Sequence, residues 1–395
     1  MTDDVRVDAE SPNDGQDLTL TDAEWSDAEF QKEWQEQAEK IGRFNLAIFG
    51  KTGVGKSTLI NAIFGEEVAP TGVGRPVTMD SNFYEHRDGF LGVFDSRGLE
   101  IGKDTEAVLA QLEAEMKKRR EGPLSDQIHV AWYCVRADAR RFEDTEAEFI
   151  RRLHKLGLPI VGVLTQVALR DGKYHPDSEK LADEIAALNL PILGGRPVMV
   201  MASGDPFSNF AEHGLEDLLD ATFRVAPEGV EAALIAAQKV DLGRKRKQAK
   251  DVARISAASA LAVATIPIPV ASAGLLIPIQ LGMMARIAAI YGVKLETAKL
   301  AAAVATTVAT SAGRATFASL LKFIPGAGTI IGATISGAIA SSFTMAMGYA
   351  WAVVCGELTQ GRLWGIDGAL DDDMVRELFN AQVAVWFERV RNGKD

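Results

Sequence analysis

The sequence predicts an α/β domain with a mostly parallel sheet, followed by an all-α domain rich in apolar residues. Strand-like and helix-like segments alternate between residues 43 and 224, as they do in a parallel sheet covered by helices on both faces. Near the start of this region, the apolar run 44–49 leads into a glycine-rich loop and then into a helical pattern. From about residue 226, alanine, isoleucine, valine, leucine, glycine and threonine dominate, and we interpret this part as helical.

The loop after the first strand reads Gly50-Lys-Thr-Gly-Val-Gly-Lys-Ser57, which is the pattern G-x-x-x-x-G-K-S. Such a loop between a strand and a helix binds phosphate, because its backbone N–H groups and the helix N-terminus point at the phosphate oxygens. We therefore expect Lys56 to reach the β and γ phosphates of a nucleotide and the Ser57 hydroxyl to ligate Mg²⁺. The residues assigned to phosphate binding are Gly50, Gly53, Val54, Gly55, Lys56, Ser57 and Thr58.

A second motif, D-x-x-G, is formed by Asp95-Ser-Arg-Gly98 at the end of the strand-like run 90–94. A P-loop NTPase needs a carboxylate here for the Mg²⁺ shell and a backbone N–H for the γ-phosphate. The preceding loop, 72–78, contains Thr78, the candidate switch residue whose hydroxyl contacts Mg²⁺ when the γ-phosphate is present. Thr71, just before this loop, is the alternative. The expected metal ligands are Ser57, Thr78 and Asp95, and the expected catalytic residues are Lys56 and Thr78.

With these motifs the chain resembles the translation-factor-like GTPases of the Era and TrmE type. Within that group it is most similar to bacterial Era-like GTPases that carry a C-terminal YcjF-like helical domain of unknown function. The residues that carry the resemblance are Gly50–Ser57, Pro76–Thr78, Asp95–Glu100, Trp132-Tyr133, Ile266–Pro269, Pro278–Gln280 and Phe323–Gly326. The resemblance implies a Ras-like P-loop NTPase domain that binds GTP and Mg²⁺ and hydrolyses GTP to GDP and phosphate.

Two residues near these motifs bear on the rate of hydrolysis. Leu99 follows the D-x-x-G motif, at the position where a Ras-like enzyme has the glutamine that orients the attacking water. We therefore expect slow intrinsic hydrolysis that dimerisation or a partner accelerates. Arg75 has two interpretations, an arginine finger in cis or a solvated loop arginine.

The resemblance assigns base recognition to Thr165-Gln-Val-Ala168, where the family pattern is [N/T]-K-x-D. In that pattern the aspartate accepts two hydrogen bonds from the guanine edge and the lysine stem stacks on the ring. The threonine fits, but Gln166 replaces the lysine and Ala168 replaces the aspartate. Asp171 is a candidate substitute, and Ser203 stands where the family offers a backbone N–H to the base. GTP and ATP therefore both remain open as the substrate.

The amino-acid composition indicates which cellular compartment and which kinds of partner to expect. The net charge is −12 and the pI is about 5.1, so the chain gives no strong nucleic-acid signal. Cys134 and Cys355 lie in apolar runs and are interpreted as buried thiols in a reducing compartment. The acidic N-terminus has no apolar segment typical of a signal peptide. We expect a cytoplasmic protein, with the inner face of a membrane as its alternative place.

The chain divides into six predicted segments. They are a disordered acidic tail at 1–20, an N-terminal helix at 21–42, a GTP-binding domain at 43–225, a connecting helix with a basic end at 226–254, an apolar helical domain at 255–356 and a C-terminal amphipathic helix at 357–395.

The apolar helical domain has two interpretations. The charge-free run 323–356 is longer than the roughly 20 residues that cross a membrane, and the basic cluster 244–250 precedes another charge-free run, where it could hold anionic lipid heads. The alternative is a soluble, alanine-rich helical domain. Membrane lipid bound through residues 244–356 and a homo-oligomer are the partner hypotheses. A membrane-associated scaffold with dynamin-like, nucleotide-driven self-assembly is the functional alternative to a switch.

Overall fold

The computed structural model describes residues 22–65, 83–86, 89–95, 105–139, 141–204, 210–264, 271–310 and 337–392. The predicted features that lie outside the described residues are the tail 1–20, Thr71, Arg75, Thr78, Gly98, Leu99 and residues 311–336 of the apolar helical domain.

Six strands form one sheet in the order β2-β3-β1-β4-β5-β8. Its strands are β1 (Phe44–Phe49), β2 (Phe83–Glu85), β3 (Leu91–Asp95), β4 (Val130–Arg136), β5 (Ile160–Thr165) and β8 (Val198–Val200). All neighbouring pairs are parallel except β2 with β3. The predicted α/β fold with a mostly parallel sheet is therefore confirmed.

Helices cover both faces of this sheet. The helices of this part are α2 (Lys56–Phe64), α3 (Thr105–Arg120), α4 (Asp144–Lys155), α5 (Pro176–Ala187), α6 (Leu215–Val225) and α7 (Glu231–Ala237), with 3₁₀ turns at Leu124–Asp126, Leu193–Gly195 and Glu228–Val230. One apolar cluster joins the sheet to α2, α6 and α7, and another joins it to α3, α4 and α5. Both faces are covered, which explains why burial is continuous along β1, β5 and the first six residues of β4 and why these strands are mostly apolar rather than alternating.

The strand order reverses beside β1. β1 lies between β3 and β4: the chain goes from β1 to β2 and β3 on one side and then crosses from β3 to β4 on the other side, which opens a crevice at the carboxyl end of β1. Ligands of open α/β sheets bind at such a point. The loop between β1 and α2 lies there.

A short hairpin after β5 is absent from the sequence prediction. It consists of β6 (Leu169–Arg170) and β7 (Lys173–Tyr174). Its turn residues Asp171 and Gly172 have φ of 52° and 73°, and Asp-Gly is a preferred pair for a tight turn of this hand. The Tyr174 ring lies 5.6 Å from the His213 ring, so the hairpin packs on the segment that follows β8.

The C-terminal part is helical, with α8 (Leu242–Ala264), α9 (Ala271–Tyr291), α10 (Leu295–Thr310), α11 (Gly337–Thr359) and α12 (Asp372–Arg391). Helix α11 packs against α8, α9 and α12. Its Trp351 is fully buried, and the indole N–H donates to the Met284 carbonyl over 2.7 Å. This partner makes burial of the polar indole nitrogen tolerable.

The N-terminal helix α1 (Asp22–Ile41) joins both parts. It packs along α9 and α10, where Glu33 pairs with Arg286 at 3.0 Å and Asp27 pairs with Lys299 at 2.9 Å. At its other end, Ile41 enters the apolar cluster of the sheet. Helix α1 therefore contacts the C-terminal helices as well as the α/β domain.

The segment predicted as one connecting helix, 226–254, forms two helices with a break. Helix α7 ends at Ala237, and α8 begins at Leu242 and continues to Ala264, past residue 254. At the break, the buried Gln238 donates from Nε2 to the Asp241 carbonyl over 2.8 Å and accepts from the Asp241 N–H over 2.7 Å. These side-chain bonds replace helical backbone bonds, which explains how the chain turns there.

Among the described helices, Gly337–Thr359 is long and apolar enough to cross a membrane by length and composition. However, 61% of its most apolar window is buried inside the protein. The core helix of a soluble protein passes the same test, so this helix is weak evidence for a membrane span.

Candidate nucleotide-binding site

The phosphate loop, residues 50–55, turns sharply away from β1. Gly50 has φ of 137°, and a Cβ there would lie 2.3 Å from the carbonyl oxygen of Cys134 on β4. Only glycine fits this combination of backbone conformation and close approach. The loop then passes the buried Val54 and reaches Gly55, which is the N-cap residue of α2.

Lys56 and Ser57 occupy the first turn of α2. The Lys56 ammonium donates to the carbonyls of Gly50 and Lys51 over 2.8 and 3.1 Å, so its charge lies inside the curl of the loop. Ser57 is partly buried and Thr58 is exposed. The helix N-terminus carries partial positive charge, and the first turn of α2 contains no acidic residue. The electrostatics therefore favour an anion.

Asp95 ends β3 beside the loop. It pairs in register with Ile48 on β1, and only 3% of its surface is exposed. Complete burial raises the pKa of the neighbouring Cys134 thiol to about 12, and the charges of Lys56 and Asp95 also act on it in opposite directions. The carboxylate and the ammonium thus both lie near this buried thiol.

These residues fit Mg²⁺. This ion takes one or two carboxylates plus phosphate oxygens and water rather than an all-protein cage. The buried Asp95 carboxylate and the Ser57 hydroxyl supply hard oxygen ligands next to the phosphate loop. Within the described ranges, no group of three or more His, Cys, Asp or Glu side chains could hold a metal ion.

Thr165, at the end of β5, connects the predicted base-recognition segment to the phosphate loop. Its hydroxyl lies 2.6 Å from the Val54 carbonyl and 3.2 Å from the Val135 carbonyl. The next residue, Gln166, has a positive φ of 58°. Its side-chain Nε2 would lie 3.5 Å from a Cβ at Gly55, so it borders the loop.

The remaining predicted base-recognition residues are dispersed. Ala168 precedes the hairpin β6–β7, and Asp171 lies exposed at the hairpin tip. Ser203 is exposed after β8. A pocket of about 550 Å³ adjoins Gln166 and Ala168. Its other lining residues come from segment 137–139, His175 and helix α5.

Two features near the site had no place in the sequence interpretation. Lys51, the second residue of the loop, pairs with Glu143 and Glu146 at the start of α4, over 2.8 and 3.2 Å. Glu146 follows Glu143 by three residues, as in a capping box, but glutamate replaces the usual Ser or Thr at the first position, and the spacing does not predict the contact with Lys51. The hairpin β6–β7 could have been recognised from Asp171-Gly172.

Comparison with known proteins agrees with this geometry. Residues 45–166 match the family described as "50S ribosome-binding GTPase", and residues 230–382 match the family described as "Domain of unknown function (DUF697)". The chain is 32% identical over 194 residues to GTPase Der of Rhodopseudomonas palustris (strain TIE-1), covering 48% of this chain and 36% of that protein. It is 30% identical over 190 residues to GTPase Der of Brucella abortus (strain 2308), covering 47% and 34%. The chain thus spans about a third of the length of these relatives.

Among solved structures, a probable GTP-binding protein engB aligns with 46% of this chain and 97% of its own, at 18% identity and a TM-score of 0.33. Cdc11 from Saccharomyces cerevisiae aligns with 46% of this chain and 95% of its own, at 20% identity and a TM-score of 0.25. The phosphate-loop geometry and the match of residues 45–166 agree on a P-loop GTPase fold for the N-terminal half of the chain, and residues 230–382 are similar to the DUF697 family.

Proposed function

We propose that the protein is a regulatory switch of the Era and TrmE type that binds GTP with Mg²⁺ and hydrolyses GTP to GDP and phosphate. The observation that carries this proposal is the phosphate loop at the reversal of the strand order, with the Lys56 ammonium inside its curl and the buried Asp95 on the adjacent strand.

Each residue of the site has a defined task in this proposal. The loop N–H groups and Lys56 bind the β and γ phosphates, and Ser57, Asp95 and Thr78 hold Mg²⁺. Mg²⁺ held by these residues would supply neutralisation of the charge that develops on the phosphates. Gly98 would donate its N–H to the γ-phosphate. Leu99 cannot orient the attacking water by hydrogen bonding, because its side chain is a hydrocarbon, so we expect slow intrinsic turnover.

A second candidate activity is ATP hydrolysis or hydrolysis with relaxed base selectivity. Ala168 stands where an aspartate would accept two hydrogen bonds from guanine, and Asp171 is exposed at the hairpin tip. Without a carboxylate at the base edge, guanine loses a charge-assisted contact of about 1.5–3 kcal/mol. Thr165 and Gln166 would then bind the nucleotide without strong selection of its base.

Titration of the purified chain with fluorescent GTP and ATP analogues tests both activities. We expect Lys56→Met to abolish binding, whereas Lys117→Met, which changes an exposed lysine on α3, keeps it. Tighter binding of ATP than of GTP would overturn the GTPase proposal.

Ala168→Asp tests the base-recognition assignment. The restored carboxylate should raise the preference for GTP over ATP by about tenfold or more, the equivalent of about 1.4 kcal/mol. Ala187→Asp, at the exposed end of α5, is the matched control. An unchanged preference in Ala168→Asp would show that residue 168 does not face the base.

We further propose that the protein is cytoplasmic and that its helical domain contacts anionic membrane lipid, which would place it at the inner face of a membrane. The support comes from α8, where Arg246, Lys247 and Lys250 are exposed and are followed by the exposed Ile255 and Leu261. Cations next to apolar side chains match a headgroup layer above hydrocarbon.

Flotation with vesicles tests this contact. We expect the chain to float with vesicles that contain phosphatidylserine, and Lys247→Glu/Lys250→Glu to reduce flotation strongly. Lys117→Glu/Lys118→Glu, which changes two exposed lysines on α3, is the control with the same change of net charge. Equal flotation of both charge-reversed variants would contradict contact through α8, and resistance to carbonate extraction would instead indicate a spanning segment.

A further inference from the structure

We propose that Glu146 is a positioning residue for the phosphate loop. It holds the side chain of Lys51 and thereby fixes the outer part of the loop, residues 51–53. The proposal rests on nucleotide binding at this loop, as proposed above.

The two parts of the loop are held differently. The inner part is held by the sheet, because Gly50 lies against the Cys134 carbonyl and the Val54 carbonyl accepts from Thr165 over 2.6 Å. In the outer part, Thr52 and Gly53 are exposed, and a Cβ at Gly53 would meet nothing within 4 Å. The Lys51 side chain connects this outer part to helix α4.

The Glu146 carboxylate is buried and accepts several hydrogen bonds, so its position is fixed. Its side chain is 4% exposed, and three donors from different elements meet its carboxylate. The Tyr133 hydroxyl of β4 donates over 3.3 Å, the Glu143 backbone N–H over 3.0 Å and the Lys51 ammonium over 3.2 Å. A buried carboxylate is costly without such partners, and the N-terminus of α4 further favours its negative charge.

Lys51 connects Glu146 to the Lys56 ammonium, which is proposed to bind phosphate. The Lys51 side chain points to α4, while its carbonyl accepts from Lys56 over 3.1 Å. Partial burial alone would lower the pKa of Lys51, but hydrogen bonds and charges from Glu143 and Glu146 outweigh it and raise the pKa. Lys51 therefore stays charged and held at neutral pH, and the preorganised loop loses less freedom when a ligand binds.

A simpler explanation is that Glu146 only completes the capping box of α4, in which Glu143 and Glu146 satisfy each other's backbone N–H groups. Glutamine separates the two roles. Its amide oxygen also accepts the N–H bond of a capping box, and its amide NH₂ group can donate to the Tyr133 hydroxyl, but it carries no charge for Lys51.

The test is a double-mutant cycle of Glu146→Gln and Lys51→Met, with two readouts. The readouts are affinity for fluorescent GDP and the thermal midpoint without nucleotide. We expect each single variant to weaken GDP binding about 3- to 10-fold with little change of midpoint. The double variant should bind no more weakly than Lys51→Met alone, because that change removes the pairs with both Glu143 and Glu146 and so includes the interaction that Glu146→Gln removes. Lys51→Arg should restore most of the affinity, and Glu148→Gln, exposed on the same helix, should match the wild type.

Unchanged or tighter GDP binding in Glu146→Gln would overturn the positioning role. Losses that add up in the double variant, or that follow the midpoint, would assign Glu146 to helix capping alone. A wild-type chain that binds no nucleotide would instead refute the proposed function, so the two failures are distinguishable.

Discussion

A single hydroxyl, that of Thr165, lies between the phosphate loop, β4 and β5. It is within hydrogen-bond distance of the carbonyls of Val54 and Val135, and its residue is 3% exposed. The hydroxyl can donate only one proton, so the shorter contact, to Val54, is the principal bond. The residue that the sequence assigned to base recognition therefore also holds the loop that binds phosphate.

Thr165→Val should weaken nucleotide binding. Valine keeps the shape but leaves the Val54 carbonyl without its donor, at a cost of about 1–3 kcal/mol. Isothermal titration with GDP measures the loss, and Thr165→Ser, which restores the hydroxyl, should recover most of it. Wild-type affinity in Thr165→Val would show that the loop is held without this bond.

Burial also decides the chemistry of Cys134. The thiol is completely buried, and its pKa rises from 9.0 to about 12 mainly because burial disfavours the thiolate. The thiolate is the reactive form of cysteine, so Cys134 is not a nucleophile at neutral pH. Its task at the site is packing beneath the loop.

The raised pKa predicts a loss of stability at alkaline pH. Above about pH 9 the unfolded chain releases the thiol proton while the folded chain keeps it, so the contribution is complete below pH 9 and declines as pH rises toward 12. Urea unfolding under reducing conditions at pH 8 and pH 10 measures this decline. Over that interval the unfolding free energy of Cys134→Ala should fall by on the order of 1 kcal/mol less than that of the wild type. An identical decline in the two proteins would contradict the prediction.

Among the elements, α8 shows how folding divides one basic run. Arg244 pairs with Asp220 and Asp241 at 2.9 and 2.6 Å and lies 4.3 Å from the Phe223 ring. The next residue, Lys245, is fully buried, whereas Arg246 and Lys247 are exposed. Only part of the cluster that the sequence assigned to lipid is therefore available to a partner.

Lys245 caps the C-terminal ends of two helices. Its ammonium donates to the carbonyls of Ala236 on α7 and Ile290 on α9, over 2.8 and 3.1 Å, where both helices carry partial negative charge. Lys245→Met should therefore lower the unfolding free energy by about 2–5 kcal/mol, because buried acceptors lose a charged donor. Chemical denaturation measures this change, with the exposed Lys247→Met as the control. Equal stability of the two variants would refute the capping role.

At the scale of the whole molecule, residues of the nucleotide domain and of the C-terminal helices pack in one apolar cluster. Residues Leu234 and Ala236 of α7 belong to the cluster of the sheet, together with Ala289 of α9, whereas Ile235 belongs to the helical cluster. The Lys239 N–H also donates to the Ile63 carbonyl at the end of α2, over 2.8 Å. The helix that begins at the phosphate loop thus ends at the junction with α8.

We expect nucleotide to stabilise both parts together. GDP at a hundred times its Kd adds about 2.7 kcal/mol to the unfolding free energy of whatever unfolds with the site. Calorimetry should show one transition that moves upward with GDP, and amide exchange should slow in α9 as well as in α2. Two transitions, with only one shifted by GDP, would show that the parts unfold independently.

Self-assembly remains a prediction at the same scale. If nucleotide drives a homo-oligomer or a membrane scaffold, hydrolysis per molecule should rise with protein concentration or on addition of liposomes. A rate that is constant over a hundredfold range of concentration, with and without liposomes, would favour a monomeric switch.

The parts of the fold that the sequence predicted are those with local causes. Buried strands such as Phe44–Phe49 and Val130–Arg136 carry their own apolar runs, and the phosphate loop carries its own glycines. The hairpin at Leu169–Tyr174 was missed because its strands are too short for a periodic pattern, although Asp171-Gly172 marks its turn. The break between α7 and α8 was missed because it depends on the side chain of Gln238 rather than on proline or glycine.

The sequence by itself determined the phosphate loop, the strand–helix alternation and the acidic residue at the end of β3, because each depends on neighbours in the chain. Only the tertiary structure decided that Lys51 meets Glu146, that Thr165 holds Val54 and that Lys245 is buried while Lys247 is exposed. These contacts join residues far apart in sequence. Their charges and hydroxyls acquire partners only when folding brings distant elements together and excludes water from between them.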